Sequence, residues 1–151
     1  MHEDAMNPPF PSDMRLLLAH KQKTSARVRF LRFPHGLCAF AALPALSSVL
    51  EDAPASRVET HPGLYLRSAE AQLGLESGGL ALEAEFSASV DTPDGPLLIR
   101  LATFTSIDPP FEAAEKLGGK FIAITEARGD LNKTSPAEME LLRQAYTVLM
   151  G

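Results

Sequence analysis

From Leu80 to Val90 the chain alternates by twos. Leu80, Leu82, Ala84, Phe86, Ala88 and Val90 fall on one side of an extended backbone, and Ala81, Glu83, Glu85, Ser87 and Ser89 on the other. Successive side chains of a strand point to opposite faces, so this pattern predicts a long strand with one dry and one wet face, as in an antiparallel sheet. Residues 91–96 (DTPDGP), with Asp94-Gly95 at the bend, predict a turn into a return strand over Leu97–Ile107. The glycines of ESGG, residues 76–79, predict a further hairpin before Leu80. Residues 63–69 (GLYLRSA), 71–76 (AQLGLE) and 120–127 (KFIAITEA) read as weaker strands. Nearer the N-terminus, residues 26–33 (ARVRFLRF) alternate loosely, with Val28 and Phe30 on one side and Arg27 and Arg29 on the other. Residues 34–36 (PHG) turn that segment into the apolar run LCAFAA.

The period changes in the last third. Met139, Leu142, Tyr146 and Leu149 recur at helical spacing, broadened by Leu141, Ala145 and Val148, with Glu140, Arg143, Gln144 and Thr147 opposite. Ser135, Pro136 and Glu138 stand where a capping box and a first-turn proline would start that helix. A shorter helix is predicted over 108–119, with Asp108 as N-cap and Gly118 as its stop. Two more short helices are predicted after Ser12 (DMRLLLAHKQ) and from Pro44 (PALSSVLEDA).

These elements give an α+β fold: an antiparallel sheet of five to seven strands with a central meander, helices packed mainly on one face, and a C-terminal amphipathic helix. Regular βα alternation, which a doubly wound parallel sheet needs, is missing. Residues 1–11 are polar and proline-rich and are expected to form a disordered arm ahead of a single domain over 12–151.

Composition narrows the function. The 151 residues are 45% hydrophobic and carry a net charge of −5, which argues against non-specific attraction to nucleic acid or to an anionic membrane. The longest apolar run, Leu37–Leu46, is interrupted by Pro44 and falls short of the ~20 residues of a membrane helix. The N-terminus lacks the basic and apolar regions of a secretory signal, so a soluble cytoplasmic protein is expected. The single cysteine, Cys38, rules out an intrachain disulfide and is compatible with a reducing compartment. Charge is unevenly spread: six Lys/Arg and no acid from Met14 to Leu50, then twelve acids against three arginines from Glu51 to Glu115. Opposite charge in two segments favours a protein partner or self-association, with a homodimer as the simplest form.

Candidate chemistry is thin. Gly118-Gly119-Lys120 resembles the end of a phosphate loop, but a helix precedes it and a strand follows, and Phe121 stands where a hydroxyl is needed. The glycines read as a helix C-cap. No metal-ligand spacing joins His2, His20, His35, His61 and Cys38, and no G-x-S-x-G occurs, so no metal, cofactor or catalytic residue is assigned. Cys38 lies in an apolar stretch and reads as packing, and Glu83 and Glu85 read as a solvated strand face. Arg27, Arg29 and Arg32, interleaved with Phe30 and Phe33, form a candidate anion-binding stripe. His61, Glu126 and Arg128 form a candidate polar site, with Gly129 expected to turn the chain after it. The expected function is a non-catalytic binding or assembly module, such as an accessory subunit or a chaperone-like protein, with a small-molecule ligand as one option. The alternative is a small enzyme whose site is assembled only in the fold.

Overall fold

The computed structural model describes residues 10–50 and 62–151. Among them are eight strands: β1 (Met14–Lys21), β2 (Val28–Arg32), β3 (Cys38–Ala39), β4 (Ser48–Leu50), β5 (Leu80–Leu82), β6 (Ala88–Thr92), β7 (Gly95–Phe104) and β8 (Lys120–Ile122). Four helices accompany them: α1 (Pro62–Leu73), α2 (Phe111–Lys116), α3 (Ile124–Thr134) and α4 (Pro136–Met150). The α+β class holds at this level. The strands form one sheet in the order β4-β6-β7-β1-β2-β8, with β3 also on β1 and β5 also on β7.

The sheet is mixed, not antiparallel. β1 and β7 run parallel through six register pairs, from Met14 opposite Leu98 to Ala19 opposite Thr103. Local alternation marks a strand but not its neighbour. The chain between β1 and β7 is long enough to cross over and bring two distant strands side by side in the same direction. Pairing is antiparallel elsewhere, including the tight β6–β7 hairpin.

The helices lie on both faces, not mainly on one. Leu16, Leu18, Leu31, Phe33 and Phe104 pack with Ala69 and Leu73 of α1 and Ala114 of α2. Leu17, Phe30, Ile99 and Leu101 pack with Ala127 of α3 and with Leu141, Leu142 and Ala145 of α4. A strand covered on both faces loses its polar alternation. This is why residues 13–22, with Leu16, Leu17 and Leu18 all buried, read as a helix but form β1.

Other boundaries shift for related reasons. The segments expected as two weak strands form α1, where Tyr65, Ala69 and Leu73 are buried at four-residue spacing. The long strand expected over 80–90 breaks between β5 and β6. The Phe86 N–H donates to the Glu83 carbonyl at 3.2 Å, and both pieces pair with the same edge of β7. Only three residues of the strand expected over 120–127 are extended, and Gly129 sits inside α3 instead of turning the chain. Of the helix expected from Pro44, residues 48–50 form β4 and the rest of its end lies outside the described residues. The N-cap position of α2 is Pro110, with no side-chain cap bond, so Asp108 does not serve as its N-cap. Phe10 packs edge-on against Phe40 and Tyr65 at 5.3 and 6.4 Å, while residues 1–9 of the expected arm lie outside the described residues. No helix among the described residues is long and apolar enough to cross a membrane.

Candidate functional site

Among the described residues two places that gather polar side chains stand out, and the first is a structural clamp. The first turn of α4 sits over the turn between β2 and β3. There Phe33 and Gly36 exchange backbone hydrogen bonds, and Gly36 has φ +134°. Glu138 is buried, and its Oε2 accepts from the backbone N–H of Leu37 at 3.0 Å and of Cys38 at 3.3 Å. The approach is so close that a Cβ on Gly36 would lie 2.6 Å from Glu138 Oε1, a second reason besides φ for glycine there. His35 stacks on Phe33, and its Nε2–H donates to the Cys38 carbonyl at 2.6 Å. Arg32, His35, Gly36, Ser135 and Glu138 border a cavity of about 260 Å³.

This geometry makes Cys38 a poor nucleophile. Burial pushes its thiol well above the ordinary range, and the charge and hydrogen bond of Glu138 push it further, with Arg15 pulling weakly the other way. The neighbouring imidazole is committed to a carbonyl and not to the sulfur. A protonated, buried thiol is inert. In the folded protein Cys38 should therefore react with a disulfide reagent at least about a hundredfold slower than in denaturant, because reaction waits for opening. The sign of its linkage is fixed. The folded thiol holds its proton to higher pH than the unfolded one, so its contribution is complete below about pH 8.5 and falls as pH rises above that value. Fast labelling of the native protein at neutral pH would contradict this assignment.

The candidate arginines do not converge. Neighbouring strand residues face opposite ways. Arg29, opposite His20 in register, is on the Leu31 face toward α1 and α2, whereas Arg32 is on the Phe30 face beside Glu138. Arg27 is exposed in the turn joining β1 to β2. Glu126 and Arg128 are exposed on α3, two residues apart and so not on a shared side. Glu126 Oε1 accepts from the Ala123 N–H at 3.2 Å, closing the start of its own helix. His61 lies outside the described residues. Gly118 has φ +73° and ends α2, with its N–H on the Glu115 carbonyl and that of Gly119 on the Ala114 carbonyl, as a C-cap requires. Among the described residues no three His, Cys, Asp or Glu cluster to hold a metal ion.

The second place was not legible in the sequence. A cavity of about 430 Å³ opens at the carboxyl ends of the parallel pair β1 and β7. Residues 21–24, the last residue of β1 and the three after it, form one wall, residues 103–107, at and just past the end of β7, form another, and Glu83 and Leu149 complete it. Its frame is tied down. Lys21 Nζ donates to the Leu149 carbonyl at 2.7 Å, where a cation also meets the negative end of α4. Buried His20 donates from Nε2 to the Ser106 carbonyl at 2.9 Å, and the Ser106 and Thr105 hydroxyls donate to the Asp108 and Gly78 carbonyls, both at 2.7 Å. Inside this frame several groups are left over. Lys23, Thr24 and Thr103 make no side-chain hydrogen bond or ion pair among the described residues. The Glu83 carboxylate meets only the nearby Glu85 N–H, at 3.3 Å. The one local signal was the basic turn 21–27. Nothing in the chain pattern places Thr103 or Glu83 beside it.

No protein-family model and no curated protein matches the chain. Among solved structures it is similar to the crystal structure of C. elegans Ap4A hydrolase, at 13% identity and a TM-score of 0.45, over 90% of this chain and 96% of that one.

Proposed function

We propose that this chain is a non-catalytic binding module whose ligand seats in the cavity at the carboxyl ends of β1 and β7. The observation that carries the reading is that cavity's polar lining, where Lys23, Thr24 and Thr103 have no side-chain partner among the described residues and Glu83 has only the Glu85 N–H, held in a frame of backbone and side-chain hydrogen bonds. Its volume of about 430 Å³ lies within the roughly 300–1,000 Å³ of small-molecule sites. Its place has a topological reason. Two parallel strands end side by side, and their continuing chains leave for β2 and α2, so a crevice stays open between them. Binding rather than turnover is favoured by the groups present. Lys21 is engaged by a helix carbonyl, and the buried Cys38 and Glu138 are committed to each other and to backbone at a different cavity.

A thermal-shift screen of metabolites tests the reading, with Thr103→Trp as a plug for the cavity. At least one compound should raise the melting temperature of the unaltered protein by about 5–10 °C at a hundredfold excess over Kd, and should fail to do so with Thr103→Trp. The compound should be recovered unchanged by mass spectrometry. A panel with no stabilising compound, or one that is converted during incubation, would remove the proposal.

A further inference from the structure

The ligand class can be read from the charges that face the cavity, granted that the cavity is a ligand seat. Three charges line the same space, Lys21, Lys23 and Glu83; Lys21 is held by the Leu149 carbonyl at the carboxyl end of α4, whereas no ion pair joins Lys23 and Glu83 or either to any other described residue. The rest of the lining includes apolar Leu149 and Ile107 and the hydrogen-bonding Gln22, Thr24 and Thr103. Ile107 is 86% exposed, a large apolar side chain in water that an occupant would cover.

Each simple ligand fails on one wall. An anion alone meets Lys23 but brings negative charge toward Glu83, and a cation alone does the reverse. A neutral ligand desolvates both charges and compensates neither. A molecule with a carboxylate at one end, an ammonium at the other and an apolar middle satisfies both and covers Ile107. An amide in that middle would find the hydroxyls of Thr24 and Thr103, which can donate or accept. We infer that the cavity takes a short zwitterion of dipeptide size with apolar side chains, its carboxylate toward Lys23 and its ammonium toward Glu83.

Calorimetric titration of leucyl-leucine, alanyl-phenylalanine and phenylalanyl-leucine tests this, each beside its N-acetylated and C-amidated forms. At least one free dipeptide should bind, and blocking either end should weaken it about tenfold or more, the scale of one lost hydrogen bond to a charged group. Two substitutions at surface-accessible positions assign the ends without threatening the fold. Lys23→Met should weaken the free dipeptide about tenfold and leave the C-amidated form unchanged, whereas Glu83→Gln should weaken it similarly and leave the N-acetylated form unchanged. Equal binding of free and blocked forms overturns the inference, as does a loss that ignores which end is blocked. If no dipeptide binds while another compound is stabilising and sensitive to Thr103→Trp, the zwitterion falls and the binding module stands. If neither assay finds a ligand, both fall.

Discussion

Leu142→Asp should remove about 4–5 kcal/mol of stability, much of what a domain of this size has. Leu142 is fully buried in the core that α4 shares with Leu17, Phe30, Ile99, Leu101 and Ile122. The substitution deletes an aliphatic side chain from a packed site, which alone costs roughly 2–5 kcal/mol. It also leaves a carboxyl group with no partner in an apolar layer, so the group must be desolvated or protonated. Glu140→Ala, on the opposite face, is the control. Its carboxylate bonds only to Arg143 and Gln144 on the same helix, an exposed arrangement worth about 0.3–0.5 kcal/mol. Urea unfolding of both variants separates the cases. Small and equal shifts in midpoint would mean that α4 is not docked on the sheet through this face.

The legibility of α4 shows what the chain pattern can carry. Its core face recurs at helical spacing for four turns, and Ser135 and Pro136 mark its start. The β6–β7 hairpin is as plain, because Asp94-Gly95 supplies the bend and Gly95 takes the φ of +117° that the turn demands. Gly118 likewise marks the end of α2. Elements fail to show where burial erases contrast. β1 is covered on both faces, so its leucines carry no period. In α1, Tyr65, Ala69 and Leu73 face the core beside Ser68 and Glu70, which are buried polar residues and blur the apolar stripe. Glu70 is buried because its Oε2 accepts from the N–H groups of Gly78 and Leu80, a contact that only the folded loop creates. The cavity fails to show for a stronger reason. Its two main walls, residues 21–24 and 103–107, are about 80 residues apart and are joined by the parallel pairing of β1 with β7, and local periodicity contains no information about that pairing. The arginines illustrate the converse error. Arg29 and Arg32 are close in sequence, but strand geometry and their odd separation send them to opposite faces.

Glu138→Ala should cost about 2–5 kcal/mol, far more than the loss of a cap. Ser135 and Glu138 satisfy the spacing of a capping box, and half of that box exists: the Ser135 hydroxyl accepts from the Glu138 N–H at 3.4 Å. The returning half does not. The carboxylate reaches instead across to the turn after β2 and holds the N–H groups of Leu37 and Cys38, both buried. Alanine would leave two buried donors unpaired, each worth roughly 1–3 kcal/mol, where loss of an ordinary cap costs about 1 kcal/mol. Glu138→Gln keeps an oxygen at the position of Oε2, which serves both donors, so it should lose only the charge-assisted part and cost about 1 kcal/mol. Cys38 supplies a second readout. Without Glu138 the turn opens more readily, and one cause of the raised thiol disappears, so native-state labelling of Cys38 should accelerate in Glu138→Ala and stay slow in Ser135→Ala. Were the box closed in solution, Ser135→Ala and Glu138→Ala would cost the same and neither would change the thiol. A large cost confined to Glu138→Ala, coupled to faster labelling a hundred residues away in sequence, would instead fix this carboxylate as the tie between the C-terminal helix and the turn after β2.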